Sequence, residues 1–415
     1  MKGICKYLIL LVLLLAGPVP LLSQDREGGL SHAVSGTVLS ADGGHPLEGV
    51  HVATSDGFFT VTNEDGCFTV KSPRPLSRID FFFPGYHSRA LSGEELKEAG
   101  LVVRLSPVNY LLRESRVVDG NPRVILSEAY SRIPNNYPSG TEYHDCFYRE
   151  TIRKRQRYID ISEAVTLLQK RSYSNLDTWG DRVAVRVGRR LVSPKRSDTL
   201  GVQVLGGPVQ AAVLDVVKCR DFLLSPEEIG KYELEMLNPV LVDGRMQYQI
   251  RISPRAVLSE YPLYHGLIYI DRESLAFTRM ELSLDMSDRE KATRIMLVKK
   301  PPRLRFIPEE QTLVISYVTD PADGLYRLRY LRTSFRFRCD WKKRLFSTAF
   351  TVVNEMVVTH RRDTGSAIPR KESFPETASL GEKMGFFEDP DFWKDYNIIE
   401  PSESLEHAIS RLKKK

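Results

Sequence analysis

The sequence predicts a mostly β protein: an N-terminal β-sandwich followed by a large curved antiparallel sheet, half-barrel in form, with a few helices. Short apolar runs separated by turn residues predict the sandwich, and long stretches of alternating apolar and polar residues predict the sheet. The 415 residues are 42% hydrophobic and 27% charged, which is typical of folded chains rather than disordered ones. This length is typical of two or three domains.

Residues 1–23 have the pattern of a secretory signal peptide. Two lysines precede an apolar run that ends at Leu15, and Ser23 offers a small residue at the end of the cleavage site. The run is shorter than the roughly 20 residues that cross a membrane, and no later stretch approaches that length. We therefore expect export and no transmembrane span in the mature chain. An uncleaved N-terminal anchor is the alternative.

Residues 33–107 are predicted to form the sandwich, because about seven short strands alternate with turns in this segment. Its strands and turns carry residues at a specific spacing: Pro46-Leu47, Gly49-Val50, Thr60, Thr62, Asp65-Gly66, Phe68 and Pro84-Gly85-Tyr86. With these residues the segment resembles the carboxypeptidase regulatory-like domain, a transthyretin-like sandwich. The resemblance implies a non-catalytic module of a Gram-negative envelope protein, in the periplasm or associated with the outer membrane.

Residues 108–140 are expected to form a connector with a short helix from Val124 to Ile133, ended by Pro134. Residues 141–362 are predicted to form the antiparallel β domain, because period-2 alternation is typical of a sheet with one buried and one solvated face. Helices near Val209–Val217 and after Ser225 interrupt its strands. Residues 363–415 form a tail with an aromatic docking segment and a C-terminal helix from Ser404 to Lys415.

The apolar face of this sheet is the candidate ligand site. We expect it to be covered by the helix at Val209–Val217 and by the aromatic segment Phe386–Trp393. A loose cover would leave a groove for an acyl chain or another apolar ligand, and a tight cover would make the domain a scaffold. The hairpin at residues 266–285 is similar to hairpins in periplasmic lipoprotein-carrier half-barrels. Six residues would line the groove: Met280, Leu282, Leu284, Tyr326, Leu328 and Tyr330.

The sequence has only weak motifs for metal binding or catalysis. His45 and Glu48 match the HxxE zinc pair, but a catalytic zinc site needs a third convergent ligand, and the pair lies in a sandwich turn. Asp145 and Glu150 crowd one strand, as paired carboxylates do in glycosidases. His144 and Cys146 share a strand face, without a third group to orient the histidine as a base. We expect no catalytic residue, no metal and no cofactor.

The charge distribution indicates which partners the protein can have, and the cysteine spacing indicates what role the cysteines have. The net charge is +6 and is spread along the chain, so we expect no nucleic-acid partner. A basic run from Arg327 to Arg344 is interpreted as the solvated face of two strands and a turn, with an anionic partner as the alternative. Four widely spaced cysteines lie after the signal segment and are interpreted as packing residues: Cys67, Cys146, Cys219 and Cys339.

The sequence therefore predicts a non-enzymatic exported envelope protein that binds an envelope partner or a lipid-like, apolar ligand. The alternative is a hydrolase acting on an envelope or dietary polymer. A deep polar cleft with paired carboxylates would favour the hydrolase, and an apolar sheet face would favour the binding protein.

Overall fold

The computed structural model describes residues 30–97, 100–108, 120–174, 180–198, 200–242, 244–255, 259–342, 346–383, 393 and 395–413. The signal-peptide prediction lies outside these residues, as does the aromatic segment Phe386–Trp393 apart from Trp393 itself. The described chain is mostly β, with a few helices, a large antiparallel sheet that is not closed and smaller sheets. The predicted fold class is confirmed.

Seven strands near the N-terminus form two small sheets that enclose one core. Apolar side chains of both sheets meet in it, and the rings of Phe68 and Phe81 lie with their centroids 5.3 Å apart. The first sheet contains β1 (His32–Ser40), β4 (Cys67–Ser72) and β7 (Leu101–Leu105), in the order β4-β1-β7. The second contains β2 (His51–Thr54), β3 (Phe59–Val61), β5 (Arg78–Phe82) and β6 (Arg89–Ser92), in the order β3-β2-β5-β6. Strands β1 and β7 are parallel, and the other described pairs are antiparallel.

The large sheet has 11 strands, and every described pair in it is antiparallel. Its strands are β8 (Glu142–Lys154), β9 (Arg157–Lys170), β10 (Arg182–Val192), β12 (Tyr232–Met236), β13 (Val240–Val242), β14 (Arg245–Pro254), β15 (Tyr264–Asp271), β16 (Phe277–Leu284), β18 (Leu304–Thr319), β19 (Tyr326–Trp341) and β20 (Thr348–Arg362). The order is β10-β9-β8-β20-β19-β18-β16-β15-β14-β12, with β13 also paired to β14. The short strands β11 (Gln203–Val204) and β17 (Leu297–Lys299) pair separately.

Short helices connect and cover these strands. They are α1 (Pro122–Ser131), α2 (Ile133–Asn136), α3 (Pro208–Val213), α4 (Pro226–Ile229), α5 (Arg289–Met296), α6 (Leu380–Lys383) and α7 (Glu403–Lys413), with 3₁₀ turns at Gly93–Lys97, Arg196–Asp198 and Arg220–Phe222. The expectation that Pro134 ends the connector helix is wrong, because α1 ends before it and Pro134 lies in the first turn of α2. Proline is tolerated there, since a first-turn N–H has no partner within the helix.

The two faces of the large sheet contact different parts of the chain. We call the face that carries Tyr148, Ile250 and Met280 the inner face, and it shares one core with Val209 and Val217. The predicted cover by the 209–217 segment is therefore confirmed. The outer face carries Phe147, Tyr330 and Val357, which pack with Phe59 and Val61 of the sandwich and Ile398 and Ile399 of the tail.

A β-bulge in β19 changes the face of one predicted ligand residue. Tyr317 pairs with Leu328 while Ser316 pairs with Tyr330, so Arg329 is an extra residue in the ladder. Because side chains alternate with a period of two, the extra residue shifts the later positions of the strand to the other face. Tyr326 and Leu328 lie in the inner core, whereas Tyr330 lies on the outer face. The expectation that all three share one face is wrong.

Candidate functional site

The inner-face residues of the predicted groove are buried in a continuous core. Met280, Leu282 and Leu284 expose 0%, 1% and 3% of their surface, and Tyr326 and Leu328 are equally well buried. These five side chains belong to the same core as the covering segment between residues 208 and 224, and the core leaves them almost no exposed surface. Ligand binding at the six predicted residues stays a prediction.

A buried polar network holds the covering segment against the sheet. The Nζ of Lys170 on β9 lies 2.9 Å from a carboxylate oxygen of Asp181 and 2.9 Å from one of Asp215 in the cover. The hydroxyls of Tyr173 and Tyr317 each donate to Asp215 at 2.6 Å. Burial by itself would raise the pKa of Asp215, but the Lys170 ammonium and the two hydroxyls lower it below its usual value. Asp215 is therefore held ionised and paired.

A small cavity of about 180 Å³ lies beside β8, β9 and β10. We call it the Glu150 cavity. Burial raises the pKa of Glu150 to about 7, although the Leu380 N–H donates to its carboxyl group, and the nearby Asp160 raises the pKa further. Asp160 is paired with Arg190 at 2.6 Å. The cavity thus holds one carboxyl group that titrates near neutrality and one paired carboxylate, a combination that acid–base chemistry uses.

The carboxylate pair and the Cys–His pair considered from the sequence do not form. Asp145 and Glu150 differ by an odd number of positions along β8, so they lie on opposite faces, and Asp145 is bound to Arg362 at 2.9 Å. His144 and Cys146 do share a face, but the thiol donates to the backbone oxygen of His144 rather than to its ring. Burial raises the pKa of the Cys146 thiol far above its usual value, which leaves it protonated and unreactive.

The two residues of the HxxE motif on the sandwich, His45 and Glu48, do not form a metal site either. His45 is exposed, whereas a carboxylate oxygen of Glu48 lies 2.8 Å from Nη1 of Arg332. Within the described ranges, no three His, Cys, Asp or Glu side chains converge so that they could hold a metal ion. The four cysteines after the signal segment all lie in described parts of the chain, and they form no disulfide.

A larger cleft, of about 680 Å³, lies where the sandwich meets the outer face of the large sheet. We call it the sandwich cleft. Its sandwich wall includes Ala53, Phe58 and Phe59, and its sheet wall includes Val318 and Tyr326. The ring of Phe58 stacks on the imidazole of His360 with centroids 4.4 Å apart, which joins the two walls. Polar and charged side chains such as Asp56, Asp80 and Gln247 line the cleft as well, so its walls are mixed in character.

Arg329, the bulge residue, borders this cleft and is only 6% exposed. Its Nε and Nη1 have no hydrogen-bond partner among the described residues, and its guanidinium carbon lies 5.7 Å from the centroid of the Phe59 ring. Burial lowers the pKa of Arg329 to about 10, because the charged form loses its water. Arg327 is also buried, paired with Glu142 at 2.7 Å. The expectation that these two arginines lie on a solvated face is wrong.

The sandwich cleft and the buried Arg329 at its border were not predicted from the sequence. Its only sequence signal is the alternation of arginine with aromatic and aliphatic residues after Tyr326, which we interpreted as an ordinary amphipathic strand. Nothing local distinguishes Arg329 from the exposed Arg336 on the same strand.

Several solved structures have low similarity to this chain. An outer-membrane lipoprotein-sorting protein domain from Vibrio parahaemolyticus is 12% identical, with 59% of this chain and 94% of that one covered and a TM-score of 0.24. A LolA-superfamily protein from Nitrosomonas europaea is also 12% identical, with 61% and 96% covered and a TM-score of 0.20. The MucA/MucB complex of Pseudomonas aeruginosa gives 14% identity, 60% and 100% coverage and a TM-score of 0.19.

The lipoprotein-sorting domain and the LolA-superfamily protein bear names of the lipoprotein-carrier class, whose hairpins the segment 266–285 resembles. TM-scores this low carry no argument about fold or function. No protein-family model matches the chain, so the carboxypeptidase regulatory-like resemblance is not confirmed, and no curated protein matches it. In the described part of the chain, the helices are all too short or too polar to cross a membrane.

Proposed function

We propose that this chain is a non-enzymatic binding protein of the bacterial cell envelope, and that the sandwich cleft is its binding site. The observation that best supports this proposal is the cleft itself: about 680 Å³ of space between the sandwich and the sheet, lined by apolar side chains such as Phe58, Phe59 and Val318 and by charged and polar ones. The inner face is a weaker candidate because the covering segment packs tightly against it. An apolar small molecule or an apolar side chain of an envelope partner fits walls of this kind.

Export is supported by the basic, apolar and small-residue regions that succeed one another in residues 1–23. We expect mass spectrometry of the protein recovered from the periplasm to find a first residue between Gln24 and Glu27. An intact Met1 would contradict cleavage and would favour the N-terminal anchor.

Binding at the cleft is testable with Nile red, a neutral dye whose fluorescence rises in apolar sites. Ala322 borders the cleft on an exposed turn, so Ala322→Trp should fill the entrance without disturbing a core. Ala41 lies on an exposed turn outside the cleft, and Ala41→Trp is the matched control. We expect saturable binding to the wild type and to Ala41→Trp, and at least tenfold weaker binding to Ala322→Trp. Equal binding to all three proteins would refute the proposed site.

A hydrolase is the second candidate, favoured by the pKa of about 7 at Glu150 beside the Asp160 carboxylate. The Glu150 cavity is smaller than the sandwich cleft, which is why we rank this function lower. A panel of p-nitrophenyl glycosides, assayed from pH 5 to pH 8, tests it. Turnover that disappears in Glu150→Gln but persists in Glu406→Gln, an exposed control on α7, would replace the binding proposal.

A further inference from the structure

Arg329 differs from the other arginines that border the sandwich cleft. Arg245 is bonded to Asp271 at 2.5 Å, and Arg361 lies 3.1 Å from a carboxylate oxygen of Asp320. Arg329 makes neither a hydrogen bond nor an ion pair with any described residue, although its side chain is almost fully buried. A buried guanidinium without an acceptor is unfavourable, since it has lost its water and gained nothing in exchange.

The nearest acidic groups are already engaged by other cations. Asp320 forms ion pairs with Arg361 at 3.1 Å and with Arg327 at 3.4 Å. Glu142 is bound by Arg327 at 2.7 Å. The face of the Phe59 ring offers Arg329 a weak electrostatic partner at 5.7 Å, but a ring accepts no conventional hydrogen bond. An acceptor for Arg329 therefore has to come from outside these residues.

The rest of the cleft limits the kind of acceptor. Four carboxylates border it and oppose a multiply charged anion: Asp56, Asp80, Asp320 and Asp363. Phe59 lies against Arg329, and Val318 lines the same cleft, so apolar side chains are available to hold an apolar body. A carboxylate is planar, carries a single negative charge and can accept two hydrogen bonds from the guanidinium group.

We propose that the sandwich cleft binds a monocarboxylate with an apolar body, and that Arg329 pairs with the carboxylate while the aromatic and aliphatic walls hold the body. This inference rests on the proposed function, because it names the ligand class of the same cleft. Arg329 acts here as a specificity residue: it selects the acid over a neutral molecule of the same shape.

Displacement of Nile red from the wild-type protein tests the ligand class without any variant. Decanoate, 1-decanol and decyl phosphate share one chain and differ in the head group. We expect decanoate to bind at least tenfold more tightly than decanol, since a hydrogen bond to a charged group contributes about that much or more. We also expect it to bind more tightly than decyl phosphate, whose second charge meets the four carboxylates. Decanol or decyl phosphate binding as tightly as decanoate would overturn the inference.

Arg329→Gln tests the residue, with Arg336→Gln as the matched control on the exposed part of the same strand. The first variant should lose the advantage of decanoate over decanol and keep its affinity for decanol and Nile red. The control should keep both. Removing a buried unpaired charge should not lower the melting temperature, which is measured alongside. Retention of the decanoate advantage in Arg329→Gln would overturn the role of Arg329.

The two proposals fail in different ways. Absence of Nile red, decanol and decanoate binding in the wild type would refute the proposed function. Binding of the neutral probes without preference for decanoate would refute only the monocarboxylate inference. A short hydrophobic peptide with a free C-terminus, compared with its amidated form, then separates a peptide source of the carboxylate from a fatty-acid source.

Discussion

Glu150 shows how burial moves the pKa of a carboxyl group towards neutrality. Its carboxyl group accepts bonds from Tyr148 and from the Leu380 N–H, yet the loss of water raises its pKa to about 7. The folded protein therefore binds this proton more tightly than the unfolded chain, in which the pKa is about 4.3. The contribution of Glu150 to stability is largest below the unfolded pKa and is lost as the pH rises through 7.

Glu150→Gln should remove this dependence, because the amide resembles the protonated acid. At pH 8 we expect the variant to be more stable than the wild type by about 1–3 kcal/mol, and at pH 5 we expect a difference below about 1 kcal/mol. Urea unfolding at both pH values measures this. Glu406→Gln, on the exposed face of α7, should change neither value. A wild type that is as stable as the variant at pH 8 would contradict the raised pKa.

At the scale of elements, the covering segment is attached to the large sheet by charge as well as by apolar contact. Asp215 in that segment accepts from two sheet-side hydroxyls and pairs with Lys170. Asp215→Asn leaves the buried ammonium with less compensation, so we expect a loss of about 3–5 kcal/mol in the free energy of unfolding. Glu94→Gln, which breaks the exposed pair with Lys97, should cost less than about 1 kcal/mol.

Two measurements separate the contribution of the Asp215 ion pair from that of the apolar core. Urea unfolding gives the global loss, and hydrogen exchange shows whether residues 208–217 lose protection before the strands do. An Asp215→Asn protein with wild-type stability would mean that the apolar core alone holds the cover. Asp215 has a lowered pKa, so its stabilisation is present above the unfolded pKa and is lost as the pH falls through the folded value.

The C-terminal helix α7 forms a separate small core against β9 and β10. Leu405, Ala408, Ile409 and Leu412 pack with Tyr158, Ile161 and Leu191. Leu405→Ala should destabilise this attachment by about 2–4 kcal/mol, since it leaves a cavity in a buried site. Glu406→Ala on the exposed side should change stability by less than about 0.5 kcal/mol. Limited proteolysis after residue 402, faster in Leu405→Ala only, is the expected readout.

At the scale of the whole molecule, the tail is inserted between the sandwich and the large sheet. Asn397 bonds to both backbone groups of Lys71 in β4, accepting from its N–H at 2.7 Å and donating to its carbonyl at 2.9 Å. On the sheet side, Nη2 of Arg149 donates to the carbonyl of Ile399 at 2.6 Å. One irregular segment thus bonds both the sandwich and the large sheet.

We therefore expect the wild type to unfold in one calorimetric transition, because sandwich and sheet share the tail. Asn397→Ala leaves both backbone groups of Lys71 without these partners, at a cost of about 1–3 kcal/mol for each. The expected result is that the sandwich melts separately, several degrees before the sheet. Asn135→Ala, at an exposed position on α2, should keep the single transition. Two transitions already present in the wild type would refute the coupling.

Local patterns were sufficient to predict several elements. Alternation along β16 placed Met280, Leu282 and Leu284 together, because the two-residue period is a property of each strand. The Ser225-Pro226 pair predicted the start of α4, where Ser225 accepts from the Glu228 N–H. Helical spacing predicted α7 and its buried face. Each of these depends on residues within one turn or one strand.

Features that depend on pairing between distant segments could not be predicted from the sequence. The bulge at Arg329 is set by the register of β19 against β18, and the residue type at this position does not predict it. The same holds for the sandwich cleft, whose walls include Phe59 and Val318, more than 250 positions apart. The β class, the strands and their alternation could be predicted from residue patterns, because backbone geometry makes these features local. The burial of Arg329 was decided by folding, because a charge loses its water only when distant walls close around it.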